Sequence, residues 1–168
     1  YYIEQVKDYN LITFDCGEEN TFNDFFTKEK EILELNVSNY LIILKGLSVG
    51  SSFIMKVFLP LLEEKSVFYC SLLLEYFEKV YYFKPSINPL SLEFYIIGIR
   101  KKRNMIFQDL RKIELENYTP NEKYKTIHLI GINDLVKKIT LSKVRKIEIL
   151  ENYINYFSDK DLSDKKKK

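Results

Sequence analysis

The chain has 168 residues, enough for one domain with a proper core, and 46% of them are hydrophobic, so it is expected to fold rather than remain disordered. A formal charge of +2 does not announce a nucleic-acid binder, which usually carries a clear basic excess. Two cysteines, Cys16 and Cys70, without metal-ligand spacing give neither a metal site nor a disulfide framework and imply a reducing compartment.

The first eight residues carry mixed charges and do not read as a signal peptide. The chain opens without Met, in the lead-in to a strand, as expected of a fragment or a processed chain. Tyr9 to Asp15 is a short apolar run closed by Cys16-Gly17, which predicts a buried strand. A polar loop follows. Residues from Phe25 to Leu44 repeat apolar side chains at helical spacing, in one helix or in two pieces around Asn36, with Asp24 placed to cap the start. Ser52 to Leu59 predicts a second strand, ended by Pro60. The apolar stretch from Tyr40 to Leu62 is interrupted by Lys45, Lys56 and Pro60, so no membrane span is expected.

Ser66 to Lys79 predicts a helix, Val80 to Phe83 a third strand and Leu92 to Ile99 a fourth, with a loop holding Pro85 and Pro89 between the strands. Helices are predicted over Met105 to Asn117 and over Ile132 to Phe157, with a break near Thr140. Alternation of strands and helices implies an α/β fold with a parallel sheet. The last two strands are joined by a loop too short for a crossover, so the final strand runs antiparallel. An antiparallel last strand of this kind, inserted between the second and third strands, is characteristic of Rossmann-like methyltransferases.

Three charged residues stand in apolar strands: Asp15, Lys56 and Glu93. A charge there is costly unless paired. One arrangement brings all three to a single sheet edge as a site; the other is a structural ion pair, and the residues alone leave both open. The basic run Arg100-Lys101-Lys102-Arg103 is either a solvated strand end or a rim that meets phosphates. His128, the one histidine, has no triad or metal partners near it in sequence and is expected to be structural.

These motifs resemble the closing half of an FtsJ-like ribose 2′-O-methyltransferase. GSSFIMKVF is similar to the family strand G-x-F-x-x-K-x-F, with one residue more between Gly50 and Phe53, and places its catalytic lysine at Lys56. KPSINPLSLEFY matches K-P-x-x-S-x-x-x-S-x-E-x-Y with a loop one residue shorter, giving Glu93 and Tyr95 and aligning Lys84, Pro85 and Ser91. YNLITFDCG resembles D-L-I-x-x-D-x-G and points to Asp15. The resemblance covers about Tyr9 to Arg100. It implies a Rossmann-like methyltransferase sheet, represented by its C-terminal half with an antiparallel last strand and followed by C-terminal helices.

The same resemblance implies S-adenosylmethionine-dependent methylation of RNA, in particular of an mRNA cap, with Lys56 activating the 2′-hydroxyl. Asp15 and Glu93 would be catalytic, and Asp15 would also border the cofactor. It implies RNA as partner and a cytoplasmic setting, viral if the residue usage is a guide. The family's first catalytic lysine and its glycine-rich cofactor loop lie upstream of the Asp strand. They would come from a missing N-terminal half or a partner chain, and Lys7 is not given that role. Gly46 and Gly50 stand apart where the family keeps a Gly-Gly pair. Residues 1–103 would form the methyltransferase-like half, 104–160 a helical extension and 161–168 a disordered basic tail. The alternative is a methyltransferase-like domain without catalysis, serving as a structural or RNA-binding subunit of a capping or transcription assembly.

Overall fold

The computed structural model describes residues 5–15, 28–59, 61–86, 91–106, 119 and 121–165, with side chains described as far as Asn152. The turn at Cys16-Gly17, the cap Asp24, the prolines Pro60 and Pro89, nearly all of the helix expected over Met105 to Asn117 and the end of the lysine tail lie outside them.

Among the described residues four strands form one mixed sheet: β1 (Leu11–Phe14), β2 (Ser52–Phe58), β3 (Phe77–Phe83) and β4 (Glu93–Lys101), in the order β1-β2-β4-β3. β1 pairs parallel with β2. β4 runs antiparallel to both β2 and β3 and lies between them, as the short β3–β4 loop and the resemblance led us to expect. The helices are α1 (Lys28–Glu31), α2 (Leu33–Leu41) and α3 (Glu64–Tyr76), and α4 (Glu122–Lys165) follows β4. α2 runs on into a π-helical turn, Ile42–Gly46.

The alternation of β2 decides which face is inside. Phe53, Met55 and Val57 are buried, whereas Ser52, Ile54, Lys56 and Phe58 are only half-buried. β4 follows the same rule, burying Phe94 and Ile96 and leaving Glu93, Tyr95, Ile97 and Ile99 on the other face. The inner face packs on Tyr40, Ile43 and Leu44 of the first helical region, on Leu72, Leu73 and Tyr76 of α3, and on Ile132, Leu135 and Ile139 of α4. At Gly98 an added Cβ would lie 2.0 Å from the Phe53 ring. That glycine lets Phe53 lie flat on β4 and meet Phe77 edge to face at 4.9 Å.

Several expectations are corrected in detail. The break in the first helical region falls at Ile32, not Asn36, which is buried inside α2. Phe77, Glu78 and Lys79 are strand rather than the last turn of α3, because β4 is long enough for Phe77 to pair with Lys101. α4 passes Thr140 unbroken and begins ahead of the expected Ile132. Leu135 and Ile139 are buried as its apolar spacing predicts, but Val144, Ile147 and Leu150 are exposed.

The basic run is a solvated strand end at Arg100, Lys102 and Arg103, which are exposed, but not at Lys101. Arg100 takes a left-handed φ of 49°, which interrupts the alternation of β4 and turns Lys101 into the core. Lys101 is 1% exposed, and its Nζ donates to the carbonyls of Leu44 at 2.7 Å and Leu47 at 2.6 Å. It thereby satisfies carbonyls at the end of the π-helical turn. Burial pulls its pKa down to about 8. Arg100 pairs with Glu78 at 2.7 Å, Arg103 pairs with Glu75 at 2.6 Å, and Lys102 lies over the Tyr124 ring.

Candidate active site

β1 and β2 both end at the same sheet edge, and β4, being antiparallel, begins there. The topology therefore collects residues far apart in sequence. Asp15 directly follows β1, Lys56 lies two residues before the end of β2, and Glu93 opens β4 opposite Phe58. Lys56 Nζ lies 2.6 Å from Asp15 Oδ1 and 3.4 Å from the Asp15 carbonyl oxygen.

The lysine side chain is 15% exposed, the aspartate side chain 73%. The stem of Lys56 lies along the sheet while its head meets a carboxylate open to solvent. An ion pair this exposed stabilises a fold by about 0–1 kcal/mol. Stability alone is a weak reason for placing an ammonium group in this strand.

Glu93 approaches through a neighbour. Tyr95 stands opposite Lys56 in the β2–β4 register, and its hydroxyl donates to Glu93 Oε1 at 3.1 Å. Burial raises the Tyr95 pKa, and so do the hydrogen bond and negative charge of Glu93 and, more weakly, the charge of Asp15. The phenol thus stays protonated in the field of both carboxylates. The Glu93 backbone is fixed on both sides: its N–H donates to Ser91 Oγ at 3.0 Å, and its carbonyl accepts from Lys84 Nζ at 2.5 Å. Burial lowers the Lys84 pKa; Glu93 works against the shift and Lys143 of α4 adds to it.

Asp15, Lys56 and Glu93 are therefore brought to one edge and one face, with the direct ion pair made by Asp15 and Lys56, and Tyr95 standing beside them. Tyr95, Lys84 and Ser91 were aligned with the family motif without a role of their own. Their signal in the sequence was period two along β4 and the short β3–β4 loop.

Two other polar groups are structural. His128 of α4 is fully buried; its Nε2–H donates to the Leu61 carbonyl at 3.2 Å, and its Nδ1 accepts from the Tyr82 hydroxyl at 2.6 Å. Glu29 is buried too, and its carboxylate accepts from the N–H groups of Leu62 at 3.0 Å and Glu63 at 2.9 Å, at the head of α3. Among the described residues no group of three or more His, Cys, Asp or Glu could hold a metal ion, and no helix is long and apolar enough to cross a membrane. A shallow depression bounded by Gln5, Tyr9, Ile12, Phe14 and Ile42 lies beside β1 and is not lined by Lys56. Compared with models of known protein families and with curated proteins, the chain matches none.

Proposed function

We propose that this chain forms the C-terminal half of an FtsJ-like RNA ribose 2′-O-methyltransferase domain, with an mRNA cap as the favoured substrate. The observation that carries the reading is the Lys56–Asp15 pair, 2.6 Å apart at the edge where β1 and β2 end. Ligands of open α/β sheets bind outside the carboxyl ends of the parallel strands. The strand order β1-β2-β4-β3, with one antiparallel insertion, fits a Rossmann-like methyltransferase sheet.

A ribose hydroxyl is a poor nucleophile at neutral pH. Lys56 orients it; to accept its proton at Nζ as the oxygen attacks, the lysine must first release its own ammonium proton to solvent, which the second lysine of the family site would favour and Asp15 opposes. Asp15 holds Nζ in place through Oδ1, and Tyr95, tied to Glu93, limits the position of the lysine from the opposite strand. S-adenosylmethionine, when bound, supplies the methyl group, which the ribose oxygen takes by in-line displacement. The exposed carboxylate of Asp15 has acceptor sites beyond the one that Lys56 occupies, so it fits a donor group of such a ligand. An N-terminal half or a partner chain supplies the glycine-rich part of the pocket and the second lysine.

Methyl transfer to capped and uncapped RNA by the intact protein containing residues 1–168 tests this reading. Lys56→Ala should cost on the order of 10²- to 10⁴-fold in turnover while S-adenosylmethionine affinity stays close to wild type. Lys56→Arg should not rescue, because guanidinium keeps its charge and cannot accept the proton. Wild-type turnover in Lys56→Ala ends the catalytic assignment. Absence of turnover in the wild type favours a non-catalytic subunit.

A further inference from the structure

Helix α4 changes character along its length. Its inward stripe at steps of four and three residues reads His128, Ile132, Leu135, Ile139, and all four side chains are buried. The next two positions of that stripe are Lys143 and Lys146. Lys143 is half-buried and lies near enough to Lys84 to lower the Lys84 pKa; every residue from Val144 to Asn152 is exposed. The helix therefore leaves the body at the edge where Lys84 holds the Glu93 carbonyl. The side that had faced the core becomes cationic there.

From Leu135 to Ile147 the helix carries Lys137, Lys138, Lys143, Arg145 and Lys146 and no acidic residue. Among the described residues no carboxylate forms an ion pair with any of these five, whereas Lys56, Arg100 and Arg103 each have one. Bringing Lys143 toward Lys84 is electrostatically unfavourable in the free protein. A ligand bearing negative charge would relieve it.

We infer that Lys84, Lys143 and Lys146 form a phosphate-binding rim, backed by the other cations of α4, that holds the sugar–phosphate backbone of an RNA strand as it enters the Lys56 edge. The inference rests on the proposed RNA reaction for its choice of polyanion. It goes beyond it in assigning the strand-holding surface to α4. Single-stranded RNA suits the rim because successive phosphates can follow a row of cations while the ribose to be modified turns toward the sheet edge.

The test is binding of a fluorescent single-stranded RNA to the full chain over a range of salt, measured by anisotropy. Lys143→Gln/Lys146→Gln is compared with Lys123→Gln/Lys125→Gln, which removes the same charge from the other end of α4. We expect the first variant to bind about tenfold more weakly at low salt, with the slope of log K against log salt reduced by roughly 1.4, or roughly 0.7 for each phosphate that is no longer neutralised. The second should match wild type, and both should keep the wild-type thermal midpoint. Lys56→Ala, measured in parallel, should lose less affinity than Lys143→Gln/Lys146→Gln, which separates this proposal from the catalytic one. Unchanged affinity in Lys143→Gln/Lys146→Gln, an equal loss in both double variants, failure of the wild type to bind RNA, or stronger binding to anionic phospholipid vesicles than to RNA would each overturn it.

Discussion

Lys101 shows how far a residue's role can depart from its local sequence. Inside the run Arg100-Lys101-Lys102-Arg103 it reads as one of four equivalent surface cations. The left-handed backbone at Arg100 instead sends it inward to two carbonyls. Its pKa falls from 10.5 to about 8 because burial disfavours the charged form. The unfolded chain therefore binds more protons than the folded one between those values, and stability should rise as pH rises through that window. Chemical denaturation at pH 7.5 and at pH 10 should show the gain in wild type and not in Lys101→Met. A wild type whose stability changes no more than that of Lys101→Met would contradict the assignment.

Among the elements, β2 was the most legible, as an apolar run with Gly46 and Gly50 before it and Pro60 after it; its alternating burial was not, since Ile54 and Phe58 are as apolar as the buried Phe53, Met55 and Val57. The end of α3 was not, because Phe77 continues the helical apolar spacing and only the far partner Lys101 makes it a strand. The Asp15–Lys56 pair was legible as charges out of place in apolar strands; the Tyr95 link to Glu93 was not, since it depends on the register between β2 and β4.

The head of α3 was hidden for a similar reason. Its capping carboxylate is Glu29, which arrives from a short helix much earlier in the chain. Glu29→Ala removes an acceptor from two N–H groups and should cost about 1–3 kcal/mol of stability, as measured by urea denaturation. A loss within experimental error would show that the two N–H groups find water instead.

α4 is docked by His128, and this gives the element a pH dependence. Burial lowers the His128 pKa from 6.5, with the Leu61 carbonyl only partly opposing the shift. The folded state holds the ring neutral: one nitrogen donates to Leu61 and the other accepts from Tyr82. Below pH 6.5 the unfolded chain takes up a proton that the folded chain resists, so stability is full above that value and declines as pH falls toward the folded pKa. His128→Gln should flatten this decline between pH 6.5 and pH 5. An identical decline in the variant would place the acid sensitivity elsewhere.

At the scale of the molecule, one face of the sheet buries the core while the other carries Lys56, Glu93 and Tyr95 beside Ile54, Ile97 and Ile99. The helices pack on the inner face, and the exposed end of α4 runs out beside the edge at which the charged residues meet. The short β3–β4 loop was sufficient to make β4 antiparallel to β3; its place between β2 and β3 came from the family resemblance. Neither was sufficient to show that α4 turns its inward stripe from Ile and Leu to Lys at the point of departure from the body, because that point is set by where the sheet ends.

The central claim is that the Lys56 edge directs a methyl group to a ribose oxygen. Its most direct test is nucleoside analysis by liquid chromatography and mass spectrometry, after the intact protein has been incubated with RNA and S-adenosylmethionine. A 2′-O-methylated nucleoside from wild type, absent with Lys56→Ala, is the predicted result. Methyl groups found only on bases, or a 2′-O-methylated product formed equally well by Lys56→Ala, would contradict it.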